Sequence, residues 1–399
     1  MKRVEKTQVL ATGLAMFSMF FGAGNVVFPL ALGKSVGDMN PFAIIGLLIS
    51  AVGVPFLGLI SMILFDGDYK KYIYRVGQLP GFLLLLLIIA LIGPFGAMPR
   101  LITVSYASVK PFLPDVSLFA FSLFAAALIY VLSIKETKIL DLLGYILGPV
   151  LLISLALIVL KGYLVAPAAP VLHLSALHVF YEGFTTGYQT MDLLAAMFFS
   201  AVVLAILKRN FEVRSREDYK KLALVSVKAS CISAVLLSIV YIGMSSIASF
   251  YATSLTHVKD QELLGVIAQQ VLGNAGSFVV AIAVGLACLT TVIALAAVCA
   301  EFVQKELFLG QLGYGLCLVL TLMLTVACST LEFEGIAHMI SPLLSLCYPA
   351  LIVLAICNIG YKLFFFRFVK TLVMITMILT IIFSYFPEIT SPITQIIWH

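Results

Sequence analysis

Apolar runs of roughly 18 to 25 residues recur along the whole chain, and each is about long enough to cross a ~30 Å hydrocarbon core as an α-helix. The chain is 62% hydrophobic and only 11% charged, which leaves too little polar surface for a water-soluble domain. Its mean hydropathy is +1.14. The sequence therefore predicts an all-α polytopic membrane protein in which residues 1–399 form a single transmembrane domain.

The apolar runs predict about eleven spans joined by short connections. These spans, numbered one to eleven below, cover residues 8–32, 41–65, 80–108, 117–134, 139–162, 178–207, 222–250, 275–304, 311–329, 333–358 and 368–387. The first run is too long for the apolar region of a signal peptide, and no small-residue cleavage site follows it. We therefore expect it to be retained as a span.

The basic residues are distributed unevenly between alternate connections. With the N-terminus in the cytoplasm, nineteen of the 24 Lys and Arg residues fall on the inner side and five on the outer side. Cytoplasmic loops retain basic residues, so this asymmetry predicts a multi-pass cell-membrane protein with a cytoplasmic N-terminus. The net charge of +5 then reflects orientation, and we expect no nucleic-acid partner.

Two of the spans are interrupted where a membrane helix should be most regular. The stretch MFFGAGNVVFP, residues 19–29, places two glycines, an asparagine and a proline inside span one. The stretch GFTTGYQTMDLL, residues 183–194, places glycines, threonines and an aspartate inside span six. Irregular backbone at that depth is tolerated only where it is buried in protein or lines a cavity.

The spacing of the two interruptions favours an inverted repeat. They lie five spans apart, and an odd repeat length places the second copy upside down in the bilayer. Paired discontinuous helices near the midplane are how many secondary transporters build a substrate site. We therefore predict a first repeat at about 8–162, a second at about 178–358 and an extra helix at about 368–387.

Broken helices suit a dipolar ligand. A half-helix that begins at mid-depth offers free N–H groups to a carboxylate, and the preceding half-helix offers carbonyl oxygens to a cation or an ammonium group. The alternative is that Gly22 and Gly24 only allow close helix packing. In span eight the adjacent hydroxyls of Thr290 and Thr291 lie near the midpoint, where they either bond back to their own helix or contribute oxygen ligands for Na⁺.

At this point the sequence resembles a known family. FFGAGNVVFP, IGPFGAMPR (residues 92–100) and GYQTMD (residues 187–192) are similar to signatures of the bacterial branched-chain amino acid:cation symporters, the LIVCS or BrnQ-type carriers. This resemblance implies a LeuT-like architecture of five plus five inverted spans and a bacterial inner-membrane location. The family plan has twelve spans where eleven are found, and the missing span lies outside the ten-helix core.

The resemblance also implies a site. The N–H groups of Ala23 and Gly24 are expected to meet the substrate carboxylate. The expected Na⁺ ligands are the carbonyls of Ser18, Phe21 and Ala287 and the hydroxyls of Thr290 and Thr291. The pockets for the substrate's side chain and ammonium group are expected to be bordered by Phe184, Thr185, Gly187 and Tyr188. Asn25 is a candidate ligand for a second cation, for which span seven offers no clear partner.

The remaining charged residues in or near the spans are candidates for gating or proton transfer. Asp192 either carries a coupling proton or stabilises the start of the inner half-helix of span six. Arg100 is interpreted either as an outer-gate partner of Glu182, Glu332 or Glu334 or as an interfacial side chain, and Arg3 with Glu301 as the inner counterpart. Span five has no ionisable residue over residues 142–160, which favours Na⁺ over a coupling proton.

The leading hypothesis is a secondary active symporter that imports leucine, isoleucine and valine with Na⁺ by alternating access. A proton-coupled symporter of the same fold is the alternative, and a channel or a non-transporting sensor remains open. An enzyme is not expected, because no convergent nucleophile set or metal-ligand spacing is present. No organic cofactor is expected, and the oligomeric state is not predicted by the sequence.

Overall fold

A computed structural model describes residues 2–22, 24–134, 139–210 and 216–385, and every regular element in these ranges is helical. The α-helices are α1 (Lys2–Phe20), α2 (Gly24–Val36), α3 (Asn40–Leu48), α4 (Val54–Ile63), α5 (Tyr69–Ile73), α6 (Gln78–Ile92), α7 (Ala97–Val109), α8 (Leu118–Ile134), α9 (Ile139–Leu164), α10 (Ala176–Thr186), α11 (Asp192–Asn210), α12 (Arg216–Phe250), α13 (Leu263–Phe302), α14 (Tyr314–Ser329), α15 (Glu332–Phe364) and α16 (Val369–Tyr385).

The predicted all-α membrane fold is confirmed. Within the described ranges, five helical stretches are long and apolar enough to cross a bilayer, among them Gln78–Phe112 and Glu332–Phe364. Other spans consist of shorter apolar helices, which are either continuous, as in Leu118–Ile134, or one part of an interrupted span, as in Val9–Phe20. Helix formation satisfies the backbone N–H and C=O groups within each segment, as a hydrocarbon environment requires.

Spans one and six are both discontinuous. In span one, α1 ends at Phe20 and α2 begins at Gly24. In span six, α10 ends at Thr186, a 3₁₀ turn covers Gly187–Thr190, and Met191 has a left-handed backbone with φ of 59° before α11 begins. A non-glycine residue in that conformation is uncommon, so the helix is interrupted at one defined residue.

The packing of the broken spans is reciprocal. The second half of span one, α2, packs on α12 of span seven, and the first half of span six, α10, packs on α3 of span two. The other two halves follow the same rule, with α1 on α12 and α11 on α4. Span one thus packs on span seven, and span six packs on span two. An inverted repeat that relates spans one and two to spans six and seven by a two-fold axis produces this pattern of contacts. The repeat boundaries remain a prediction.

Glycines allow the closest of these contacts. A Cβ at Gly33 of α2 would lie 2.0 Å from the carbonyl oxygen of Ser245, and one at Gly183 of α10 would lie 1.9 Å from the carbonyl oxygen of Ala43. No side chain fits at such distances, so α2 and α10 pack on their neighbours backbone to backbone. Small residues at helix contacts are typical of membrane bundles.

Span eight is formed by α13 and passes beside the break in span one. The helix α13 packs on α7 of span three and on α9 of span five. It bends at Gly273, whose φ of 75° and ψ of −175° are open to glycine but strained for other residues. The part of α13 after this bend carries Ala287, Thr290 and Thr291 past the interruption in span one.

Candidate functional site

A buried cavity of about 60 Å³ lies where the interrupted helices meet. Apolar side chains, including Phe28, Leu101, Phe199 and Phe333, form most of its wall. The polar and glycine positions in the lining are Gly22, Gly24, Asn25, Arg100, Gln189, Thr190, Asp192 and Thr291. The cavity therefore combines an apolar wall with helix ends, one buried cation and one buried carboxylate.

One wall of the cavity contains a three-residue polar cluster. The Asn25 side-chain amide donates to Asp192 Oδ2 at 2.7 Å and also contacts the Tyr241 hydroxyl. The Tyr241 hydroxyl donates to the same Asp192 oxygen at 3.2 Å. Asn25 Oδ1 in turn accepts from the Gly22 N–H at 3.1 Å, so the cluster fixes the unwound backbone of span one. Spans one, six and seven are thus joined through a single carboxylate.

The structure changes the expectations for Asn25 and for Asp192. Tyr241 is the partner in span seven that the sequence did not offer for Asn25. Asp192 is the first residue of α11, where the helix dipole favours a negative charge, but its hydrogen bonds described above come from side chains of other spans. It therefore connects spans as well as beginning a helix.

Arg100, in the first turns of α7, also lines the cavity. Its two terminal nitrogens donate to the Gln189 carbonyl at 3.0 Å and to Gln189 Oε1 at 2.8 Å. The Gln189 amide nitrogen donates to Ser341 Oγ in span ten at 2.9 Å. Arg100 thereby holds the end of the 3₁₀ turn in span six, and Gln189 extends that contact to span ten.

The predicted gate pairing of Arg100 with Glu182, Glu332 or Glu334 is wrong, and so is the interfacial alternative. The side chain is only 3% exposed and points to the break in span six. Glu182 instead accepts from Ser35 Oγ at 2.8 Å, and Glu332 pairs with Lys259 at 2.6 Å. The guanidinium turns inward because unpaired carbonyl and amide oxygens are available at Gln189.

The span-eight threonines bond back to their own helix, and their role as Na⁺ ligands stays a prediction. The hydroxyls of Thr290 and Thr291 donate to the Ala287 carbonyl at 2.9 and 3.0 Å, which is the back-bonded arrangement. Thr291 also lines the cavity, and its methyl group lies 3.9 Å from a Cβ built at Gly22. Thr291 therefore lies beside the break in span one with its methyl group toward Gly22.

The span-one positions of the predicted site surround the break. Ser18 lies in the last turn of α1, and the Phe21 N–H donates to the Phe17 carbonyl at 2.8 Å. Gly24 is the first residue of α2, so its N–H group belongs to the unpaired set at a helix start. Ala23 lies outside the described residues.

The structure does not bring the predicted span-six pocket residues to the cavity. Gly187 faces span two, where a Cβ would lie 1.9 Å from Ser50 Oγ. Tyr188 stacks on Tyr348 of span ten with ring centroids 4.5 Å apart and meets the Phe184 ring edge-on at 5.4 Å. Thr185 donates to the Tyr181 carbonyl. Because the chain stays helical until Thr190, the lining begins at Gln189, one turn later than predicted.

The predicted inner-gate pair is not described in full. The side chain of Arg3 lies outside the described residues. Glu301 pairs with Lys305 at 2.5 Å, one turn further along the same chain segment.

Ion pairs between separate elements lie at both ends of the bundle. At the end of the bundle predicted to face outside the cell, Lys34 of α2 pairs with Asp260 at 2.8 Å in the connection between spans seven and eight. The neighbouring Lys259 pairs with Glu332 of α15, and that carboxylate raises the pKa of Lys259. We name Lys34, Asp260, Lys259 and Glu332 the outer latch. It joins spans one and ten to the connection between spans seven and eight.

At the end of the bundle predicted to face the cytoplasm, Lys70 of α5 pairs with Glu306 at 2.5 Å, just after span eight. The hydrogen bond that Lys70 donates to Glu306 raises the pKa of Lys70. We name this pair the inner latch. It joins the connection after span two to the end of span eight.

Sequence reasoning missed Gln189 and Tyr241. Gln189 lay inside a stretch already singled out, so its polar side chain at mid-depth was an available signal. Tyr241 lies in the apolar run of span seven and differs little in pattern from tyrosines that only pack. Its contact with Asn25 depends on how α12 packs on α2, which a single sequence does not specify.

Comparisons with known proteins agree with this architecture. A sequence model of the family described as branched-chain amino acid transport protein matches residues 5–397. The branched-chain amino acid permease BrnQ of Bacillus subtilis (strain 168) is 31% identical over 377 residues, which cover 91% of this chain and 83% of that protein. The permease BraB of the same organism is 30% identical over 364 residues, covering 88% and 80%.

Solved structures share the fold at low sequence identity. The inward-facing conformation of Mhp1 matches with a TM-score of 0.63 and 11% identity, over 89% of this chain and 77% of that one. A manganese transporter of Eremococcus coleocola matches with a TM-score of 0.60 and 13% identity, over 94% and 85%. At such identities the likeness shows the fold alone.

Proposed function

Because the chain belongs to the branched-chain amino acid transport protein family, we propose that it is a secondary active symporter that carries leucine, isoleucine and valine into a bacterial cell with Na⁺. The observation that supports this most directly is the buried cavity at the meeting of two broken helices. The relatives named BrnQ and BraB are described as branched-chain amino acid permeases, which are transporters rather than enzymes.

The cavity suits a zwitterion with an apolar side chain. The start of α2 at Gly24 offers N–H groups and the positive end of a helix dipole to the carboxylate. The carboxylate of Asp192 and the carbonyls that end α1 offer a negative environment to the ammonium group. Phe28, Leu101 and Phe333 offer the apolar wall. One methylene is worth only ~1 to 3 kcal/mol in such a pocket, so we propose a class of substrate rather than a single one.

The oxygens beside the break in span one support Na⁺ as the coupling ion. The carbonyls of Ser18, Phe21 and Ala287, with the hydroxyls of Thr290 and Thr291, are the proposed ligands, and hard cations prefer oxygen donors. A second candidate is coupling to H⁺ at Asp192. The observation that favours it is the buried carboxylate shared by Asn25 and Tyr241, since an intramembrane carboxylate is a natural proton carrier.

The proposed cycle moves one group of spans against another. Spans one, two, six and seven pack on one another through the reciprocal contacts described above. They would rock against spans three, four, eight and nine, with the outer and inner latches opening in alternation. If Na⁺ binds the outward-open state more tightly, it raises the affinity for the amino acid, and the amino acid raises the affinity for Na⁺ by the same factor.

Counterflow in proteoliposomes tests this proposal. Labelled leucine, isoleucine and valine are supplied outside vesicles loaded with unlabelled substrate, with Na⁺ or choline as the cation and across a pH series. We expect saturable uptake that requires Na⁺. Uptake that persists in choline and accelerates in acid would replace Na⁺ by H⁺. Flux that does not saturate would favour a channel, and leucine binding without flux would favour a sensor.

A further inference from the structure

Arg100 is a buried cation whose hydrogen-bond partners are neutral. Its side chain is 3% exposed and lines the cavity. The two terminal nitrogens are occupied by the carbonyl and the amide oxygen of Gln189. The third nitrogen, Nε, is buried and has no hydrogen-bond partner in the structure. The two hydrogen bonds to Gln189 use two of the five N–H donors of the guanidinium, so donors that include Nε–H are unused in a side chain that lines the cavity.

The charge of Arg100 is also unbalanced. Within the described part of the chain, no Asp or Glu oxygen lies within 4.0 Å of its nitrogens. The carboxylate in the same cavity, Asp192, is hydrogen-bonded to Asn25 and Tyr241. The rings of Phe28 and Phe333 lie 5.2 and 5.5 Å from the guanidinium carbon and offset only part of the lost hydration.

A buried guanidinium with a free donor and no counter-ion is costly in a membrane, and such groups are typical of ligand sites. Guanidinium groups are especially suited to carboxylates, because their N–H donors match the spacing of the two oxygens. Arg100 and Gly24 line the same cavity, so one anion there can contact both the guanidinium and the start of α2.

We propose that Arg100 binds the carboxylate of the transported amino acid through unused N–H donors of its guanidinium, together with the N–H groups at the start of α2. This proposal rests on the proposed function and adds a charged ligand to a site built otherwise from backbone groups. It assigns opposite charges to the two walls, with Arg100 for the carboxylate and Asp192 facing the ammonium end. It also predicts that the carrier selects against amides and esters of its substrates.

The alternative is that Arg100 only positions Gln189 at the break in span six. A purely positioning role weakens the binding of every ligand by a similar factor when Arg100 is changed. A direct contact weakens the binding of ligands with a carboxylate and spares ligands without one. Leucine and leucinamide differ in this one group, so the ratio of their affinities separates the two roles.

The experiment measures binding of labelled leucine to the purified full chain in Na⁺, with leucinamide as a competitor. In the wild type we expect leucine to bind more tightly than leucinamide by about tenfold or more, because a charge-assisted contact is lost with the carboxylate. In Arg100→Gln we expect this ratio to fall to about threefold or less, mainly through weaker leucine binding.

Arg75 provides a matched control. It is another arginine with an unpartnered buried Nε, and its guanidinium lies 3.6 Å from the Tyr361 ring, outside the cavity lining. Arg75→Gln should keep the wild-type ratio. If Arg100→Gln does not fold, Arg100→Lys is used. It keeps the charge without the guanidinium fork, and its ratio should be lower than that of the wild type by about threefold or more.

An unchanged ratio in Arg100→Gln, or in Arg100→Lys where it is needed, overturns the role of Arg100. A fall of the ratio in Arg75→Gln as large as in Arg100→Gln also overturns it. A wild-type protein that neither binds nor transports leucine overturns the proposed function itself. The two failures are therefore distinguished within one set of measurements.

Discussion

Asn25 and Asp192, 167 residues apart in the chain, share a 2.7 Å hydrogen bond where spans one and six are both interrupted. The bond joins the two halves of the proposed inverted repeat through side chains rather than backbone. Tyr241 donates to the same carboxylate oxygen, so span seven is tied to the pair. A change in the charge of Asp192 would therefore act on all three of these spans.

Asp192→Asn should weaken cation dependence more than folding, because it removes the negative charge while keeping the size of the side chain. We expect the Na⁺ concentration for half-maximal leucine uptake to rise by about tenfold or more, since a buried charge acts strongly on a nearby cation. Uptake by proteoliposomes at varied Na⁺ measures this. The control is Asp115→Asn in the exposed connection after span three, which should behave as the wild type. An unaltered Na⁺ response in Asp192→Asn would remove the carboxylate from the coupling mechanism.

Thr291→Val should also weaken the Na⁺ response, because it removes one proposed oxygen ligand and keeps the side-chain volume. We expect a loss of about 5- to 30-fold in apparent Na⁺ affinity, the range of a single polar contact of ~1 to 2 kcal/mol. The control is Thr321→Val in span nine, whose hydroxyl also bonds back to its own helix but does not line the cavity. If both variants respond alike, the hydroxyl of Thr291 has only a local structural role.

The spans and the two interruptions could be predicted from the sequence because they depend on local properties. Hydropathy defines the runs, and Gly22, Gly24 and the polar stretch 183–194 break helical regularity within them. The partner of Arg100 could not be predicted in the same way. Glutamates at the outer ends of spans are natural partners for an arginine, but the guanidinium turns inward to Gln189 in the packed bundle.

The residue at which span six is interrupted could not be predicted from the sequence either. The glycines at 183 and 187 suggest an early interruption, yet both glycines serve close packing against span two. The left-handed residue is Met191, which has no sequence property that favours such a backbone. The break is imposed by contacts on either side of it, so its residue could be identified only from the fold.

Gly183→Ala should destabilise the bundle rather than change its ion dependence. The added methyl group would meet the Ala43 carbonyl oxygen at 1.9 Å, and α10 would have to move away from α3. Overpacking of this kind costs about 1 to 3 kcal/mol or more. We expect a lower midpoint of thermal unfolding in detergent. The control is Gly265→Ala in α13, where a Cβ has no neighbour within 4 Å, and an equal loss in both variants would contradict the packing argument.

The two latches should have opposite effects on the conformational equilibrium. Asp260→Asn removes the 2.8 Å pair with Lys34 on the outer side, and Glu306→Gln removes the 2.5 Å pair with Lys70 on the inner side. Both pairs are partly exposed, so each contributes about 1 kcal/mol or less, which corresponds to a population shift of about fivefold or less. If Na⁺ binds the outward-open state more tightly, Asp260→Asn should lower the Na⁺ concentration for half-maximal uptake and Glu306→Gln should raise it.

Asp68→Asn, whose pair with Lys71 lies within one turn of the chain, should leave that concentration unchanged. A shift in the same direction for both latch variants would mean that the pairs stabilise the fold without controlling which side of the membrane the cavity faces.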